Sequence, residues 1–210
     1  MTELLTALDA DWEGYEEMRN DFLEAPKYGN NIDEVDCLVA EVYENHNRVC
    51  RSYPSAYGET IKPNAISISA HQPGGALTGA TADGGEILAD ASISPSHGKD
   101  LRGPLAVFQS AMKIRQDSYQ GTLFNMKFHP TMLKTEEDCK KLSQLIRVYL
   151  TNGGKHIQFN VVSREEMLDA QIHPEEHEEL TVRVAGYSAY FNRLPESIQN
   201  EVIERTSQEL

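Results

Sequence analysis

The sequence predicts an α/β fold with parallel strands, entered through helices. Three observations carry that prediction. Apolar residues in the first third recur at three- and four-residue steps, the spacing of a helix face. Residues 63–104 hold seven of the 14 glycines and four of the nine prolines. From residue 121 onward the order reads strand, helix, strand, helix, strand, loop, helix, which is the alternation of a parallel α/β layout.

Taken in order, Leu4, Leu5, Leu8, Trp12, Tyr15, Met18 and Phe22 fall on one helix face. KYGNN then breaks the pattern. A second helix follows, with Ile32, Val35, Leu38, Val39, Val42, Val49 and Tyr53 as its apolar stripe. Both stripes are expected to face a core. AISISAH (65–71) alternates like a short strand. The stretch after it is expected to be loop, and a loop that long inside a compact domain is either functional or leans on a partner. Its GGALTGATADGG run has neither the glycine spacing nor the Lys-Ser/Thr ending of a phosphate-binding loop.

Residues 105–114 read as a short helix and GTLFNMKF (121–128) as a strand. Thr135 with Asp138 three residues on marks a helix start, and NGG (152–154) its end. HIQFNVV (156–162) is a strand, and Ser163 with Glu166 makes a capping box for the next helix. TVRVA (181–185) is a last strand, Gly186 tops a loop, and Pro195 opens the final helix. Only about four credible strands emerge, and a parallel sheet needs cover on both faces. The chain is therefore expected to pack against another chain or to be one part of a larger fold.

Composition excludes several functions. The chain is 40% apolar and 25% charged, the profile of a globular domain. A net charge of -14 argues against nucleic acid and anionic membrane as partners. No apolar run approaches the roughly 20 residues of a membrane span. The acidic N-terminus shows no signal peptide. Cys37, Cys50 and Cys139 have irregular spacing and no Cys-x-x-Cys, so a reduced, cytoplasmic protein is expected.

The candidate chemical motifs mostly dissolve. HPEEH (173–177) spaces two histidines like metal ligands, but Pro174 stands where the metalloprotease pattern needs Glu, and the segment reads as a solvated face. His156 lies opposite Ile157, Phe159 and Val161, either lining a cavity or satisfied within its strand. No cysteine lies in a glycine-rich loop beside a base. Gly186 differs. A Cα without a side chain, once it loses a hydrogen atom, holds an unpaired electron between a donating amide nitrogen and a withdrawing carbonyl. It can flatten without Cβ clashes. Gly186 is thus either a turn glycine or a place to store a radical.

VRVAGYSAYF, followed by LPESIQNEVIERT, closely resembles the C-terminal signature of glycyl radical enzymes. The branch includes pyruvate formate-lyase-like proteins, glycerol, propanediol and choline-cleaving eliminases, and arylsuccinate synthases and decarboxylases. APKYGNNIDEVD, ISAHQPGGALTGATADG, LADASISPSHGKDLRGPLAV, GTLFNMKFHP and HIQFNVVSREEMLDAQIHPEEHEEL resemble successive blocks of the same region, in family order. The resemblance implies that Gly186 carries the radical and that Arg183, Val184, Tyr187 and Ser188 complete its loop motif. It implies the C-terminal part of a ten-stranded α/β barrel with N-terminal helices. Residues 1–60 would be helical lyase-domain end, 61–120 the glycine-rich barrel loops, and 121–210 the glycine radical domain. It implies no bound cofactor or metal, a radical-SAM activating enzyme as partner, and a small organic substrate.

One departure limits the activity expected. Family members pass the radical to a cysteine on a loop like Gly-Cys-Val-Glu, and the contexts of Cys37, Cys50 and Cys139 do not match it. The thiyl role is assigned to none of them, and the chain is not expected to be active alone. Met1 aligns with an interior position of full-length relatives. Thr81-Ala82-Asp83-Gly84-Gly85 departs where relatives commonly show Pro and Arg at the second and fifth positions. Three readings follow: the radical-bearing portion of a split or truncated enzyme, whose partner is the N-terminal portion; a spare-part glycyl radical cofactor that docks on an oxygen-damaged full-length homologue; or an inert remnant.

Overall fold

The computed structural model describes residues 1–82 and 92–208, the side chains of Gln72 and Ala76 apart. Helices α1 (Thr2–Asp9) and α2 (Glu16–Glu24) replace the single helix expected through Phe22. The break is a left-handed residue, Asp11 at φ 52°. Its N–H donates to the Leu8 carbonyl at 3.0 Å and the Trp12 N–H to that of Ala7 at 2.9 Å, a Schellman closure of the helix. Trp12 is still buried, but from the turn, with its ring 5.8 Å from that of Phe22.

Helix α3 (Asp33–Arg51) corrects a second expectation. Val39 packs on the core as predicted, and so does Tyr43, which the predicted stripe did not include. Leu38 and Val42 are instead 61% and 67% exposed, and Val49 and Tyr53 are exposed beside them. The helix carries apolar residues on two faces, and only one of them is covered within this chain.

Strand β1 is only Asn64–Ala65. The predicted run to residue 71 ends because Ile68 takes φ 56° and the Ala70 N–H closes a turn onto Ser67. Part of the glycine-rich stretch is helical rather than loop: α4 spans His71–Thr78. Asp83, Gly84 and Gly85, where the sequence departs from its relatives' pattern, lie outside the described residues. The following segment is tied to the first third by Asn30, whose amide donates to the Lys99 carbonyl at 2.7 Å and accepts from the Leu101 N–H at 2.8 Å. Gly29 permits that approach, since a Cβ there would stand 2.5 Å from the Pro95 ring.

Helix α5 (Gly103–Met112) has Pro104 in its first turn. The predicted strand 121–128 is two: β2 (Gly121–Thr122) and β3 (Asn125–Phe128). Between them Leu123 donates its N–H to Ala65 and accepts from the Ile93 N–H. Helix α6 (Glu136–Thr151) begins with a complete Thr135–Asp138 capping box, and Gly153 at φ 99° lies just past its end. Strand β4 is Gln158–Val161, and α7 (Arg164–Ile172) is capped by the Ser163 hydroxyl, one half of the expected box. Then come β5 (Thr181–Arg183), β6 (Ser188–Tyr190), α8 (Glu196–Glu204) and β7 (Ser207–Gln208).

Parallel pairing holds for β1–β2 and for the order β4–β3–β7. TVRVA does not join it: β5 pairs antiparallel with β6 as a hairpin. The third parallel strand is β7, which had no sequence signal because it is two residues long. Two apolar cores result. One gathers Val107, Phe108, Phe124, Phe128 and Tyr149; the other gathers Met167, Val182, Val184, Phe191 and Val202. Among the described residues, no helix is long and apolar enough to cross a membrane.

Candidate functional site

The β5–β6 hairpin places Gly186 at its tip. Arg183 pairs with Ser188, and the turn between them is closed by the Val184 N–H donating to the Tyr187 carbonyl at 2.9 Å. Val184 and Ala185 are buried; Gly186, Tyr187 and Ser188 are exposed. Gly186 has φ 82°, the left-handed region that favours glycine. A Cβ built there would lie 3.4 Å from Leu123 Cδ1, an ordinary contact. Conformation, not crowding, is what selects glycine at this position.

The two residues before the turn are held through their backbones. Asn160 on β4 works like a strand neighbour: its amide donates to the Arg183 carbonyl at 2.6 Å and accepts from the Arg183 N–H at 2.6 Å. Arg205 donates Nη1 to the Arg183 carbonyl at 3.1 Å and Nη2 to the Val184 carbonyl at 2.7 Å. Asn125 on β3 adds its amide to the Val184 carbonyl at 3.4 Å. The Arg183 side chain reaches back, with Nε donating to Gln158 at 2.7 Å and Nη1 to the Ser188 hydroxyl at 3.2 Å. Gln158 in turn donates to Asn125.

Behind this layer sits a buried charged group. Glu201 on α8 binds Arg205 with both oxygens, at 2.9 and 3.1 Å. His97 Nε2 stands 3.1 Å from the same carboxylate, and His71 Nε2 at 3.9 Å. Burial would push the Glu201 carboxyl up, but the two imidazoles and the guanidinium facing it outweigh that and hold it well below the usual carboxylate range. Lys127 is buried on β3 and donates to the Ile203 carbonyl at 2.8 Å; burial, then the Arg205 and Arg164 charges, lower it to about 8.

The structure therefore gathers Arg183, Val184, Gly186, Tyr187 and Ser188 in one hairpin. The residues that hold it were not predicted: Leu123, Asn125, Gln158, Asn160, Glu201 and Arg205. A signal for three of them existed, since Asn125, Gln158 and Asn160 are polar residues in buried or half-buried strands. His156 lies near the hairpin rather than satisfied within a strand. Its Nδ1 is buried without a hydrogen-bond partner, and burial, then the Arg183 charge, lowers its pKa. His177 of HPEEH binds the Asp169 carboxylate at 2.7 Å. Cys37 and Cys139 are exposed and Cys50 half-buried.

Two family models match: "Glycine radical" over residues 89–192, which includes the hairpin tip, and "Pyruvate formate lyase-like" over residues 1–75. The chain is 42% identical over 195 residues to indoleacetate decarboxylase of Tractidigestivibacter scatoligenes, covering 91% of this chain and 22% of that protein. It is 36% identical over 211 residues to trans-4-hydroxy-L-proline dehydratase of Clostridioides difficile, covering 99% and 27%. It superposes on the B12-independent glycerol dehydratase of Clostridium butyricum with a TM-score of 0.95 at 43% identity, covering 100% of this chain and 27% of that one. The chain thus spans about a quarter of the length of these relatives.

Proposed function

Because this chain belongs to the glycyl radical enzyme family, we propose that it is the radical-bearing C-terminal portion of an oxygen-sensitive enzyme and that Gly186 stores the radical. The observation that carries this reading is the hairpin tip: a glycine at φ 82° in the sequence Arg183-Val184-Ala185-Gly186-Tyr187, inside the segment that matches the glycine radical model. A radical-SAM activating enzyme removes one hydrogen atom from the Gly186 Cα, leaving a backbone radical flanked by two peptide groups. Arg183, Val184, Tyr187 and Ser188 shape the turn that holds it. The Gly186 Cα then takes the hydrogen atom of a thiol of the enzyme body, and the thiyl radical so formed abstracts hydrogen from a small organic substrate. That thiol is supplied by the N-terminal portion and not by Cys37, Cys50 or Cys139.

Residues 1–60 and 61–120 contribute the helical and glycine-rich parts of an α/β barrel in this reading, and residues 121–210 the radical domain. The outward stripe of α3, Leu38, Val42 and Val49, continued by Tyr53 just past the helix, supports a missing body. Roughly three quarters of a relative's length lies outside the region this chain matches, and we assign that body as the cover of the stripe. Anaerobic activation followed by EPR tests the reading: a glycyl doublet is expected, and its absence with a competent activating enzyme overturns the assignment.

A second reading is a spare-part cofactor that docks on an oxygen-damaged full-length homologue. The loop without its thiol partner favours it equally. Restored turnover of an oxygen-cleaved homologue supports the spare part; turnover only with a separate N-terminal portion supports the split enzyme.

A further inference from the structure

We infer that Arg205 is the positioning residue of the radical loop, with Glu201 holding Arg205 in register. The inference rests on the proposed radical role of Gly186 for its meaning, but its geometry stands apart from that role. Arg205 lies in the segment leaving α8, outside the Arg183–Ser188 motif. Its guanidinium is buried, and its planar fork spans two consecutive carbonyls, Arg183 and Val184, immediately before the turn. A lysine cannot reproduce that fork. The other edge of the guanidinium is fixed by both Glu201 oxygens.

Glu201 is not an isolated partner. His97 precedes α5 in the glycine-rich region and His71 opens α4, and both face the carboxylate. The same cluster therefore joins three places: the glycine-rich stretch, α8 and the hairpin. Beside the apolar packing that α8 and the hairpin share through Val184, Val202 and Ile203, this link is polar and directional. Apolar packing tolerates sliding, whereas two hydrogen bonds to adjacent carbonyls set both the distance and the orientation of the turn. A Cα radical needs that, because transfer depends on where one atom stands.

The test is amide hydrogen exchange on the 210-residue chain, comparing wild type with Arg205→Lys and Glu201→Gln. The Val184 amide, which closes the turn, is expected to exchange about ten-fold faster in Arg205→Lys and less markedly faster in Glu201→Gln, while the β3 and β4 amides keep their rates. After activation, both variants should lose the glycyl EPR signal faster than wild type at matched Tm. Unchanged Val184 exchange in both variants overturns the inference. So does acceleration spread evenly over β3 and β4, which would mean general loosening. If wild type never forms a radical, the proposed function fails, and the exchange data still decide the positioning role.

Discussion

Arg205 Nη2 lies 2.7 Å from the carbonyl oxygen of Val184, a residue 21 positions earlier and two before Gly186. The turn that carries the glycine is thus not held by its own strands alone. It is hung from α8 on one side and from β3 and β4 on the other, and each support makes a separate prediction.

Gly186→Ala should fold. No backbone or rigid atom blocks a Cβ, so the cost is that of a left-handed alanine, about 1 kcal/mol. The glycyl EPR signal should nevertheless vanish. Wild-type protein that is activated and then exposed to air should release the piece from Gly186 to Leu210, read by mass spectrometry, and the alanine variant should not. Cleavage persisting in the variant would place the radical elsewhere.

Asn160→Leu keeps the shape of the side chain but removes both bonds to Arg183. The Arg183 N–H is left without a partner while its carbonyl keeps the Arg205 bond, so a loss of about 2 kcal/mol is expected by urea unfolding. A loss under 0.5 kcal/mol would mean that water replaces the amide at no cost.

Lys127 gives a pH signature. Its folded pKa is lowered to about 8 by burial, below the roughly 10.4 of an exposed lysine. Between those values the unfolded chain binds more protons, so stability rises as pH climbs through that window. Tm measured from pH 7 to 10 should increase in wild type relative to Lys127→Met, whose side chain cannot titrate. Parallel curves would show that the ammonium is not penalised where it sits.

Val42→Lys on the outer face of α3 should leave the chain's own stability within about 0.5 kcal/mol, since Val42 is 67% exposed. Binding to a co-expressed N-terminal portion of the enzyme should weaken at least ten-fold, because the lysine would be buried without a partner. Unchanged binding in a titration would show that the stripe is not the docking face.

Local chemistry was legible from the chain alone. Thr135 and Asp138 announced α6, Ser163 announced α7, and a glycine between a β-rich run and an aromatic one announced the turn. Each depends on residues within a few positions of one another, where propensity and capping decide the outcome. TVRVA misled for a related reason: its composition is that of a strand whatever its partner, and only the four-residue turn makes that partner antiparallel. The α3 stripe misled because periodicity reports an apolar face and not what lies against it.

What the sequence by itself determined is the candidate position, Gly186, with its motif and the helix that follows. What only the tertiary structure decided is how that position is held. Arg205, Glu201, His71 and His97 come from segments more than 100 residues apart and meet because β7, two residues long, draws the chain back beside β3. A buried charge is stable only with partners from several directions, and no spacing along the chain encodes their convergence.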